Sequence, residues 1–132
     1  MTKFQKNAFI LGTFLLLTGI ILGAFGAHGL EGKIPEKSID SFKVGVNYQM
    51  YHGFAFLILG LIFPFTTFSM KWILRFMLLG VICFSGSIYG LALQHLIGLN
   101  ISKILGPITP IGGLFLILSW AFLLVNFIRQ KI

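Results

Sequence analysis

Charge is scarce in this chain, and acidic charge is almost missing. Of its 132 residues only 10% are charged, and the three acids are Glu31, Glu36 and Asp40. A soluble domain carries roughly 25% charged residues. With 57% hydrophobic residues, no soluble fold of this size hides so much apolar surface. The composition therefore specifies a single small integral membrane domain over residues 1–132. The shortage of acids also bears on function. No Asp or Glu lies within an apolar run, whereas proton- and ion-coupled carriers usually hold a carboxylate inside the membrane. Cysteine is limited to Cys83, which excludes an internal disulfide and reads as a small packing residue. The basic excess of +7 forms no patch: lysines and arginines are scattered at the ends of apolar runs. There they act as interfacial anchors and topology signals, so nucleic acid is excluded as a partner.

What the sequence does have is long apolar runs. About 20 such residues span a bilayer core as a helix. The expected spans are 8–27, 46–68, 72–97 and 110–127. They predict an all-α membrane protein, a four-helix transmembrane bundle running up-down-up-down. The first run follows Lys3 and Lys6, and a cleaved signal peptide is its rival reading, since Ala24-Phe25-Gly26 resembles a cleavage site. Before the second span, Pro35 suits a helix start, with Glu36 in its first turn. Ile39, Phe42 and Val46 then recur on one face, which predicts a short amphipathic helix in the interface that continues into the second span. Pro64 is placed where a kink or stop is tolerable, and residues 66–71 read as a tight turn. Residues 98–106 read as a loop, and Pro107 and Pro110 suit the beginning of the last helix.

Glycines mark the expected helix contacts. Gly12, Gly19, Gly23 and Gly26 share a face of the first span. Gly80, Ser87 and Gly90 lie on a stripe of the third, Gly86 and Gly90 form a second G-x-x-x-G, and Gly112 opens the fourth span. Small residues at such spacing let helices approach closely.

The densest polar stretch is Asn47-Tyr48-Gln49-Met50-Tyr51-His52-Gly53, which opens into the second apolar run. Polar groups there need partners. The topology is expected to bring His28, His52 and His95 to one outer level, with Tyr48, Gln49, Tyr89, Gln94 and Thr109 nearby. These eight residues are the candidate ligand-binding set. The bland reading is a hydrogen-bonded polar cap that ties helices together. A sharper one is a site for a quinone or lipid headgroup. Three imidazoles also suit zinc or copper, but no two are local neighbours, so no metal site and no cofactor is expected. Ser85 or Ser87 paired with His95 is a weak nucleophile–base arrangement, because no third orienting group is visible, and no catalytic residues are expected. A small transporter or channel is a third class, in which only histidines would carry protons.

Four motifs in order carry a resemblance. They are Gly23-Ala24-Phe25-Gly26-Ala27-His28-Gly29-Leu30, Tyr48-Gln49 with His52, Phe84-Ser85-Gly86-Ser87-Ile88-Tyr89, and Gly106-Pro107-Ile108-Thr109-Pro110-Ile111-Gly112-Gly113 with Trp120 downstream. Together they resemble domain-of-unknown-function family 423, small membrane proteins of bacteria, over nearly the whole chain. The resemblance implies a four-helix membrane fold and brings no activity, substrate or cofactor. Its signature falls on His28, Tyr48, Gln49, His52, Ser87, Tyr89, Thr109 and Pro110. The expected role is non-enzymatic: a packing or assembly partner in a membrane complex, the partner being a membrane protein or a second copy. The expected address is the bacterial inner membrane. Lys3, Lys6, Lys71, Arg75, Arg129 and Lys131 would lie on one side and Lys33, Lys37, Lys43 and Lys103 on the other, which favours cytoplasmic termini.

Overall fold

A computed structural model describes residues 1–63 and 68–130. Among the described residues the regular elements are all helices: α1 Lys3–His28, α2 Glu36–Ile62, α3 Phe68–Ile97, α4 Ser102–Leu105 and α5 Ile108–Arg129. Among the described residues, three stretches suffice by length and composition to cross a membrane: Lys3–His28, Ser69–Ile97 and Ser102–Arg129. The long helix α2 is not among them, because its first half carries Glu36, Lys37, Asp40, Lys43 and the polar run 47–52.

α1 packs on α2, α2 on α3, and α3 on α5. The chain enters α1 through a capping box. Gln5 N–H donates to Thr2 Oγ1 (3.2 Å) and Thr2 N–H to Gln5 Oε1 (3.0 Å). The same Gln5 amide donates to Gly60 O at 3.1 Å, fixing the start of α1 against the end of α2. Gly32 (φ +71°) and Gly98 (φ +67°) take the left-handed backbone that the turns after α1 and α3 require.

Glycines of α1 lie against α2. A Cβ at Gly12 would lie 2.8 Å from Gly53 O, one at Gly19 2.6 Å from Met50 Sδ, and one at Gly26 2.7 Å from the Phe42 ring. Gly23 faces Val46. The first run is thus a packed element of the bundle. On α3, Gly80 faces Leu116 and Gly90 faces Leu105, while Gly112 of α5 abuts the backbone of Cys83 and Phe84. Gly86 departs from its expected packing role: it is exposed, and a Cβ there would meet nothing within 4 Å.

Other expectations need correction. The segment expected as a short amphipathic helix runs on without a break into the apolar run after it. Ile39, Phe42 and Val46 are buried as their spacing predicts, and they belong to the one helix Glu36–Ile62. They pack with Leu30, Ile34 and Ala92, so this part of α2 stands against its neighbours. The expected turn at 66–71 is overtaken by α3, which is already helical from Phe68. Pro64 and Lys131 lie outside the described residues. The loop at 98–106 contains the short helix α4.

Buried side chains form two clusters. One is built on Leu15, Phe56, Met77 and Leu116, the other on Leu30, Phe42 and Ala92. Between them lies a layer of polar groups.

Candidate functional site

Gln49 is the centre of that layer. It is 5% exposed on α2 and joins three helices. Its amide nitrogen donates to Leu15 O (2.9 Å) and Thr18 Oγ1 (2.8 Å) on α1. Its amide oxygen accepts from Tyr89 Oη of α3 at 2.7 Å. One turn earlier, Gly45 leaves room for the Tyr89 ring, and Ser85 Oγ donates to Gly45 O at 2.7 Å.

His52 makes the link to α5. The indole N–H of Trp120 donates to His52 Nε2 at 3.0 Å. With Nε2 accepting, Nδ1 carries the proton and donates to Tyr48 O at 2.6 Å. Both ring nitrogens are therefore engaged in a neutral imidazole. A third link joins α3 to α5, where Ser87 and Thr109 share a hydroxyl–hydroxyl hydrogen bond of 2.6 Å. No buried side-chain nitrogen or oxygen among the described residues lacks a partner.

The expected tier of three imidazoles is not formed. Gln49 meets Leu15 and Thr18 at the middle of the first apolar run. His28 lies ten residues beyond Thr18, and His52 one turn deeper than Gln49. At 1.5 Å per residue these two rings are about 20 Å apart along the bundle. His95 faces Ser38 (3.3 Å), fourteen residues from His52 on α2 and again about 20 Å away. The cause is the early start of α2, whose first turns pack against the end of α1 and carry His52 into the interior. His28 is exposed, and no group of three His, Cys, Asp or Glu residues among those described is placed to hold a metal.

The candidate set thus divides in two. Gln49, His52, Tyr89 and Thr109 bind each other's helices. Gln94 holds the α3–α4 connection through Ile101 N–H (3.1 Å) and Ser102 Oγ (3.0 Å). His95 lines an outer groove of about 730 Å³ with Lys37, Ser38, Ser41 and Thr109. The imagined serine–histidine pair is absent: Ser85 and Ser87 are committed to Gly45 and Thr109, two to three turns from His95. Thr18 and Trp120 are partners outside the expected set. The signal for Trp120 was an indole inside an apolar run, whose N–H needs an acceptor.

Three polar groups of the same stretch remain outside the network. Asn47, Tyr48 and Tyr51 are exposed, with Tyr48 at 41% and Tyr51 at 60%. The tyrosine rings pack 5.9 Å apart, and Tyr48 lies 4.9 Å from the Phe84 ring. Neither phenol nor the Asn47 amide has a hydrogen bond among the described residues.

A family profile described as "Protein of unknown function (DUF423)" matches residues 22–113. The chain belongs to that family. It is 44% identical over 122 residues to a UPF0382 membrane protein of Staphylococcus haemolyticus, covering 92% of this chain and 95% of that one. UPF0382 membrane proteins of Staphylococcus epidermidis and Staphylococcus aureus are each 41% identical over 121 residues, covering 92% of this chain and 94% of theirs. No solved structure matches. The DUF423 profile includes Gln49, His52, Ser85, Ser87, Tyr89 and Thr109 of the bonded layer, whereas Thr18 and Trp120 lie outside its matched range.

Proposed function

We propose that this DUF423 protein is a non-enzymatic assembly partner in the bacterial plasma membrane, acting through the outer face of α2. In this reading α2 is a fourth crossing, both termini are cytoplasmic, and the bonded layer holds the bundle together.

One observation carries the proposal: Asn47, Tyr48 and Tyr51 are exposed polar groups with no hydrogen bond among the described residues. The contact of Gly26 with Phe42 puts Phe42 beside the end of α1. Asn47 then lies about 7 Å, and Tyr51 about 13 Å, inside that level. An unpaired polar group in hydrocarbon is costly. Interhelical hydrogen bonds from such groups hold membrane helices together. An amide and a phenol each donate and accept, so this face is complementary to itself. The proposed partner is a second copy of the chain.

The test uses cysteine cross-linking in native membranes with Cys83 replaced by Ser. Asn47→Cys should give a covalent dimer, whereas Ile117→Cys, 67% exposed on α5, should not. A cross-link to a chain of another mass would replace the second copy with a different partner. Equal cross-linking at both positions would end the proposal.

A second reading draws on the outer groove, where Lys37, Ser38 and His95 face an opening of about 730 Å³. A quinone or lipid headgroup suits that chemistry. An absorption spectrum and lipid extract of the purified protein, repeated for His95→Ala, test it: a bound chromophore or headgroup lost in the variant is the expected result.

A further inference from the structure

At the other end of the bundle a groove runs between α1 and α3 over Phe56 of α2. It holds about 540 Å³ and changes character along its length. Its mouth carries Lys3, Lys71 and Arg75, together with the exposed Asn7. Its deeper walls are Ala8, Leu11, Leu74 and Leu78. None of the three cations has a carboxylate partner among the described residues. The ion pair of the described chain, Lys43 with Asp40, is at the opposite end, where Glu31 and Glu36 also lie.

From this geometry we infer that the groove binds one anionic glycerophospholipid of the adjoining leaflet. The headgroup phosphate sits among Lys3, Lys71 and Arg75, the Asn7 amide donates to it, and one acyl chain follows the apolar wall. Charge fixes the class of occupant. Three unpaired cations near one point select a net negative headgroup over a zwitterionic one, since each Lys or Arg near an anionic surface adds attraction. The direction of the groove fixes the rest. α1 and α3 are both apolar enough to cross the membrane, and the groove is basic at the helix starts and apolar inward. A lipid of that leaflet has the same order, headgroup outermost and chain inward. Free phosphate would satisfy the cations and leave the apolar wall unused. Arg75 is held in place by its own helix, its guanidinium 5.0 Å from the Trp72 ring centroid. The inference rests on α2 returning through the bilayer, which brings the starts of α1 and α3 to one leaflet, and not on the outer face of α2 or on which side the termini occupy.

The test uses full-length protein in a mild neutral detergent. It is mixed with equimolar phosphatidylglycerol and phosphatidylcholine of identical chains, and retained lipid is counted by native mass spectrometry. Phosphatidylglycerol should be retained roughly tenfold over phosphatidylcholine. Lys71→Gln with Arg75→Gln should reduce that preference to near one. Lys6→Gln with Arg129→Gln removes the same charge at residues that do not line this groove, and should leave the preference intact. Asn7→Trp narrows the mouth without changing charge and should lower retention of both lipids. Glycerol phosphate in large excess should not displace the bound lipid. Equal retention of the two lipids would overturn the inference. So would equal loss in both charge pairs, or displacement by glycerol phosphate. If the Lys71 and Arg75 variant does not fold, the lipid preference, Asn7→Trp and glycerol phosphate decide the matter in the native background.

Discussion

Gln49 and His52 show what polar residues do inside this bundle. Each has its hydrogen-bonding atoms directed at another helix or at its own backbone, and Gln49 alone joins α1, α2 and α3. Such a group stabilises mainly by leaving no buried partner stranded. Trp120→Phe keeps an aromatic ring, smaller than the indole, and removes the N–H, so His52 Nε2 loses its donor. It should lower stability by about 1 to 2 kcal/mol, read by thermal unfolding in detergent. Gln49→Leu and Tyr89→Phe share one hydrogen bond. Their double variant should be less destabilised than the two single changes added together, by about 1 kcal/mol. Tyr51→Phe is the contrast, since its phenol has no partner within the described chain. Monomer stability should be unchanged, while the Asn47→Cys cross-link weakens if the face is an interface. The residue types of this site were legible in the sequence, because polar groups amid apolar runs demand partners. Their pairing was not. The spacing of His28, His52 and His95 along the chain does not say how far each helix extends beyond its apolar run, and α2 extends ten residues before position 46.

At the scale of the helices, glycines decide which faces meet. On α1 four glycines recur at helical intervals, and a large side chain on α2 fits over each approach. On α3 the same reasoning could not separate Gly86 from its neighbours. A G-x-x-x-G spacing reports a smooth strip of helix and not which way that strip is turned, and here the bundle places Gly86 outward. The difference is measurable. Gly112→Leu would drive a side chain into the backbone of Cys83 and Phe84, which has no rotamer to yield. α3 and α5 must then separate, with a loss of at least about 3 kcal/mol or failure to fold. Gly86→Ala meets open space. Because Ala favours helix over Gly, it should leave stability unchanged or raise it by up to about 0.5 kcal/mol.

For the whole molecule, the question is whether α2 crosses the membrane. Its composition argues against it, since its first half is the most polar part of the chain. Its surroundings argue for it. Gln49 and His52 are covered by α1, α3 and Trp120, so their polar atoms are hidden from lipid. From Gly53 to Ile62 the helix is apolar and packs beside α1 down to Gly60. If α1 crosses, α2 returns beside it over the same depth, and its unpaired Asn47 and Tyr51 are left for a neighbour. With four crossings, the N-terminus and residue 103 lie on opposite sides. In the Cys83→Ser background, Lys6→Cys and Lys103→Cys should react with a membrane-impermeant maleimide in opposite preparations. Lys103→Cys should label in intact cells, and Lys6→Cys only after the membrane is opened. Labelling of both from the same side would mean that α2 does not return through the bilayer. The layer built on Gln49 would then need water, and the six basic positions assigned to the cytoplasm would no longer share a face.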